Sequence, residues 1–160
     1  MRRLLPLFAL GCLAATSAAQ AQQISPYLAG QNAWMAYSYG SRVYNGQLDQ
    51  LWPIVKQSKV RMVRIGGNGV EFNLPTPQQY LGMIDSIRRI GAEPMVQLPE
   101  GRGRYTAQQA AAVVDYVNNQ MHRGVKYWII GNEPNLTGNF GKVSVAGVEA
   151  YIKSWATAMK

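Results

Sequence analysis

The chain has 160 residues, 48% hydrophobic, 15% charged and 10% aromatic, with 16 glycines, 8 prolines and one cysteine. This composition excludes a disordered tail, a collagen-like repeat and a disulfide scaffold, and fits a globular protein of one domain. The formal net charge of +8 raises the question of a nucleic-acid or membrane-surface partner.

In chain order, residues 1–21 read as a secretory signal peptide. Arg2 and Arg3 precede an apolar run from Leu4, and a small-x-small cleavage site follows at Ala19-Gln20-Ala21. The run is too short to span a bilayer, which takes ~18 apolar residues. The expected mature chain is therefore residues 22–160, a single domain that is secreted or periplasmic and not held in a membrane. Removal of residues 1–21 takes away Cys12, Arg2 and Arg3, so no thiolate remains and the charge falls to +6. The remaining cations, such as Lys56, Arg88, Arg89 and Arg123, lie singly or in pairs near predicted helix ends, where they complement the helix dipole. They form no phosphate-binding stripe, which argues against nucleic acid.

Four strand-like segments alternate with four helix-like segments in the mature chain. The strands are Tyr27 to Trp34, Val60 to Ile65, Glu93 to Leu98 and Lys126 to Ile130, each starting 33 residues after the last. The units share no side-chain motif, so the spacing points to βα units and not to a solenoid. The first helix, about Gln47 to Ser58, offers Leu48, Leu51 and Val55, with Pro53 as a kink or a late start. Thr76, Pro77 and Gln79 form a capping box before Tyr80, Ile84 and Ile87, and Gly91 is the stop. Thr106 and Gln109 repeat the box before Ala110, Val113, Val114, Val117 and Met121, with Gly124 as the stop. The last helix starts near Ser144 and offers Val148, Ile152, Trp155 and Met159.

Strands joined by helical crossovers are parallel, and parallel α/β folds bind ligands at the carboxyl ends of their strands. At those ends stand Asn32 and Trp34, then Arg64 with Gly66-Gly67-Asn68, then Gln97 with Pro99-Glu100, then Gly131-Asn132-Glu133-Pro134. Each has a bland reading: Asn and Pro form turns, an arginine can pair with any acid, and a tryptophan can be core. Asn135-Leu136-Thr137 is formally a glycosylation sequon. Gly67-x-Gly69 lacks the third glycine of a dinucleotide loop, so no cofactor is expected. Together the rim residues make a site the better reading.

Ile130-Gly131-Asn132-Glu133-Pro134 at the end of a fourth strand resembles the signature of the retaining (β/α)8-barrel glycoside hydrolases. Gly30-Gln31-Asn32-x-Trp34 and Val63-Arg64-Ile65-Gly66-Gly67 extend the resemblance to the first two strands. It implies a TIM-barrel fold, a carbohydrate substrate, no metal and no cofactor. It makes Glu133 the acid/base, Asn132 the partner of the sugar 2-hydroxyl, Arg64 a neighbour of the catalytic carboxylates and Trp34 a flat platform. Asn32 and Gln97 are then hydroxyl partners. Retention needs a second carboxyl ~5 to 5.5 Å away, which the family carries as a glutamate on strand seven. Glu100 is the only other acid on the predicted rim, and it matches no family position. A whole barrel takes ~200 residues or more, so residues 22–160 are expected to form four of eight βα units. Such a half barrel, inactive by itself, has open edges that favour self-association. The alternative from another class is a non-catalytic carbohydrate-binding or interaction module built on the half barrel.

Overall fold

The structure, a computed structural model, describes residues 24–33, 35, 37–39, 42–44, 48–100, 103–135 and 144–160. The expected signal peptide, Trp34 and sequon residues 136 and 137 lie outside the described residues. The strands are β1 (Gly30–Ala33), β2 (Tyr37–Tyr39), β3 (Arg42–Tyr44), β4 (Met62–Ile65), β5 (Glu93–Leu98) and β6 (Tyr127–Ile130). The helices are α1 (Leu48–Gln57), α2 (Asn68–Phe72), α3 (Pro77–Arg89), α4 (Ala107–Asp115) and α5 (Val145–Ala158). The chain is thus α/β. A parallel sheet in the order β1-β4-β5-β6 is accompanied by an antiparallel β2-β3 hairpin.

Both capping boxes form as the sequence predicts. Thr76 accepts from the Gln79 amide while Gln79 accepts from the Thr76 amide, and Thr106 and Gln109 do the same. Each box satisfies two amides that a helix start leaves without intrahelical partners. Ser144 caps α5 through the Gly147 amide at 3.1 Å. Arg88 and Arg89 lie in the last turn of α3, on the side that its dipole favours.

Several expectations are corrected. The first strand begins at Gly30 and not at Tyr27, because Pro26–Leu28 form a 3-10 turn whose Ser25 cap accepts from the Tyr27 amide. Among the described side chains of α1, which leave out Leu48, Trp52 and Val55 are buried, whereas Leu51 is 47% exposed. In α5 Ile152 is 42% exposed, and Tyr151 packs with Trp155 and Met159 on the core. One residue is a step of about 100° on a helix, so placing Tyr151 against the core turns Ile152 toward solvent. The helical segment that starts after Thr106 does not run evenly to Met121. It widens into a π turn at Tyr116–Gln120, where the Met121 amide reaches the Tyr116 carbonyl at 2.9 Å. The β2-β3 hairpin and α2 were not foreseen.

The sheet is two-faced. Ala33, Val63, Ile65, Val96 and Leu98 are buried in one core with Tyr80, Ile84 and Ile87 of α3 and Ala110 and Val113 of α4. On the opposite face Gly30, Asn32, Met62, Arg64, Met95, Tyr127 and Ile129 are exposed or half-buried, and Gln97 alone is fully buried. Helices therefore cover one face, whereas a doubly wound parallel sheet buries both. Tyr27, just before β1, meets Tyr127, at the start of β6, edge to face with centroids 5.9 Å apart. Flat neighbours would keep these outer strands about 14 Å apart, so the rings lean toward each other across the uncovered face.

Two expectations test this packing. Thr76→Ala and Thr106→Ala should each cost about 1 kcal/mol by urea unfolding, since each removes a cap. Asp85 accepts from Arg123 at 2.7 Å, and that hydrogen bond chiefly holds its carboxyl below the usual range. A depressed acid stabilises the fold above its unfolded-state pKa, and that contribution is lost as pH falls through the folded value. The Tm advantage of the wild type over Asp85→Asn should therefore be full at neutral pH and shrink below about pH 4.

Candidate functional site

The site lies at the carboxyl ends of β4, β5 and β6. Parallel register puts Arg64 beside Asn32 and Met95, with Gln97 two residues further along β5 on the same face. Arg64 Nη2 donates to Gln97 Oε1 at 2.9 Å and to Asn132 Oδ1 at 2.7 Å. Asn132 in turn donates from Nδ2 to Asn68 Oδ1 at 2.8 Å and to Glu133 Oε2 at 3.2 Å. One guanidinium thus joins β4, β5 and the loop after β6, and Asn132 carries the chain of bonds to Glu133.

The loop after β6 is shaped for this. The Gly131 amide donates to the Leu98 carbonyl at 2.9 Å, adding one rung beyond the strand. Gly131 then turns with φ +74° and Glu133 with φ +43°. A glutamate in the left-handed region costs about 1 kcal/mol or more. Among the described residues only Lys59 and His122 share that trait outside glycine, and both follow helical segments. Glu133 is exposed, at the edge of the rim.

Gln97 is 0% exposed, and its amide is fully committed. Oε1 accepts from Arg64 and also from the Gly67 amide at 2.7 Å, while Nε2 donates to Glu71 Oε1 at 2.8 Å. The Gln97 carbonyl accepts from the Tyr80 hydroxyl at 2.8 Å. Burial, assisted by the Glu71 charge, pushes that hydroxyl well above the ordinary phenol range, so Tyr80 remains a donor. Gly66 makes room for this amide, because a Cβ there would overlap Gln97 Oε1 and stand 2.8 Å from Gln97 Cβ. Gly67 has φ +101°, a conformation that favours glycine.

Glu71 corrects the sequence reading. Glu100 is not the only other acid at this end of the sheet, because α2 carries Glu71, 9% exposed, to the Gln97 amide. The five residues of α2 are too few to register as a helical period. The remaining clue was an acid three residues after the Asn68 that follows two glycines. Glu100 accepts from the Gly103 amide of its own loop at 3.0 Å.

Of the residues named from sequence, Arg64, Gln97, Asn132 and Glu133 come together. Asn32 is exposed and lines, with Gly30, Gln31, Met62 and Arg64, an open hollow of about 250 Å³ on the uncovered face. Trp34 lies outside the described residues. Among the described residues no group of three or more His, Cys, Asp or Glu side chains could hold a metal ion. Arg88 pairs with Glu93 at 3.7 Å and Arg123 with Asp85 at 2.7 Å, whereas Arg64 donates to the neutral amides of Gln97 and Asn132. Arg64 thus presents a half-buried cation with no acidic partner among the described residues.

Compared with known protein families and with curated proteins, the chain matches none.

Gly66→Ala should cost 1–3 kcal/mol, the range for overpacking, and displace the Gln97 amide. Urea unfolding measures the loss, and Gly82→Ala, in α3 with open space around its Cβ position, is the control.

Proposed function

We propose that this chain is one half of a (β/α)8-barrel glycoside hydrolase, exported with loss of residues 1–21, and that Glu133 is its acid/base. The observation that carries this reading is Asn132 bridging Arg64 and Glu133 at the carboxyl ends of parallel strands. A sheet clothed by helices on one face also suits a barrel segment better than a doubly wound domain.

In this mechanism Glu133 protonates the glycosidic oxygen while a second carboxylate attacks the anomeric carbon and the leaving sugar departs. The glycosyl-enzyme ester is then hydrolysed by water, whose proton returns to Glu133 as the second carboxylate is released. Asn132 holds Glu133 and Asn68 through Nδ2, and its Oδ1, which accepts from Arg64, keeps a second lone pair to which a sugar 2-hydroxyl can donate. Arg64, surrounded by neutral amides, supplies the positive charge that keeps the second carboxylate ionised. That carboxylate comes from beyond the four parallel strands described here. Asn32 and the 250 Å³ hollow beside Arg64 offer further sugar contacts. Gln97, buried and committed, acts on the site by holding Arg64, not by meeting the sugar.

The same hollow and exposed amides could hold a glycan without cleaving it, the basis of the binding-module alternative. The deciding experiment expresses the longest natural reading frame that contains this chain and assays it on aryl glycosides and oligosaccharides. Hydrolysis that falls by about 10²–10⁴ in Glu133→Gln, the usual span for a general acid, supports the glycosidase. Undiminished hydrolysis by that variant, or a reading frame with no glutamate at the end of a seventh strand, contradicts it. Saturable glycan binding with no turnover favours the module.

A further inference from the structure

Gln97 is a polar side chain buried in the face of the sheet that helices leave uncovered, and its amide has a fixed sense. In the observed sense the oxygen faces two donors, Arg64 Nη2 at 2.9 Å and the Gly67 amide at 2.7 Å. The nitrogen faces the Glu71 carboxylate at 2.8 Å and, more distantly, the Gly67 carbonyl at 3.4 Å. Rotating the amide by 180° would set N–H groups against the guanidinium and the backbone amide, and oxygen against carboxylate. Each contact would turn repulsive around a side chain that is fully buried, where an unmet polar group is costly. Glu71 therefore selects the sense of the amide, and the amide selects the place of the guanidinium.

We propose that Glu71 and Gln97 are positioning residues, a two-step relay that holds the Arg64 guanidinium against Asn132. The relay crosses from α2 through β5 to β4 and ends at the loop that carries Glu133. It rests on the glycosidase reading only for its effect on catalysis. The positioning itself is a property of these side chains whether or not the protein cleaves sugars. Two built features support it: Gly66 leaves the space that the amide occupies, and the Tyr80 hydroxyl anchors the Gln97 carbonyl.

The test follows the Arg64 side chain by NMR in the full chain labelled with ¹³C,¹⁵N-arginine, with Arg64→Lys identifying its signals. A guanidinium held through one Nη rotates slowly about its Nε–Cζ bond, so Arg64 should give separate Nη1 and Nη2 resonances. Glu71→Leu should merge them into one averaged signal. Glu71→Gln, which keeps an acceptor oxygen for Gln97 Nε2, should restore the separation. Backbone amide spectra verify that each variant is folded. If Glu71→Leu does not fold, Gly66→Ala, which displaces the Gln97 amide from the other side, should merge the signals instead. Averaged Arg64 signals in the wild type, or separate signals that persist in folded Glu71→Leu or Gly66→Ala, overturn the relay. In a hydrolytically active form, Glu71→Leu should lower kcat at least tenfold with KM changed less than threefold, and Glu71→Gln should recover most of it. Absence of hydrolysis in every form would count against the glycosidase reading while leaving the NMR result to decide the relay.

Discussion

The arrangement of the rim depends on a charged hydrogen bond between Arg64 and a buried amide. Arg64 rises from the face of β4 that helices leave uncovered, and its guanidinium would sample many rotamers if left in water. Gln97 Oε1 and Asn132 Oδ1 accept from the same nitrogen at 2.9 and 2.7 Å, which converts a flexible cation into a fixed one. Everything near it is shaped to that end: glycine at 66 for space, glycine at 67 for its dihedral, Glu71 for the sense of the amide. Hydrogen bonds to a charged group are stronger than neutral ones, about 1.5–3 kcal/mol, so one such group can order three segments distant in sequence.

The fold around this cluster is asymmetric, and the asymmetry bears on function. Aliphatic side chains of β1, β4 and β5 fill one face, where α3 and α4 complete a dry core. The other face carries Met62, Met95, Ile129 and Tyr127 only half-buried, together with the polar residues of the site. A parallel strand normally buries both its faces, so this second face favours a partner layer. In the proposed glycosidase, closure of the sheet into a barrel supplies that layer and the second carboxylate.

Much of this was legible in the sequence. The alternation of apolar and helical segments placed the four parallel strands to within about three residues at their starts, and the Thr-x-x-Gln boxes placed the starts of α3 and α4 to the residue. These signals are local, written in neighbouring side chains. The errors fall where tertiary contacts decide. Whether Leu51 or Trp52, Ile152 or Tyr151 faces inward depends on a single helical step, and both members of each pair are apolar. Within the site, Arg64, Asn132 and Glu133 announced themselves by type and position. Glu71 did not, because its role exists only through Gln97, 26 residues away. Gln97 looked like a sugar ligand for the same reason: its strand position was readable, but the partners that occupy its amide were not.

The central claim is that Glu133 serves as an acid and then as a base, and azide rescue of Glu133→Ala tests it most directly. With a dinitrophenyl glycoside the leaving group needs no protonation, so the first step survives, while the second stalls for want of a base. Azide needs no base to attack. In the hydrolytically active form of the protein, added azide should accelerate turnover of Glu133→Ala and give a glycosyl azide with the anomeric configuration of the substrate. No azide adduct and no acceleration, or an adduct of inverted configuration, which would mark Glu133 as the nucleophile, would contradict the assignment.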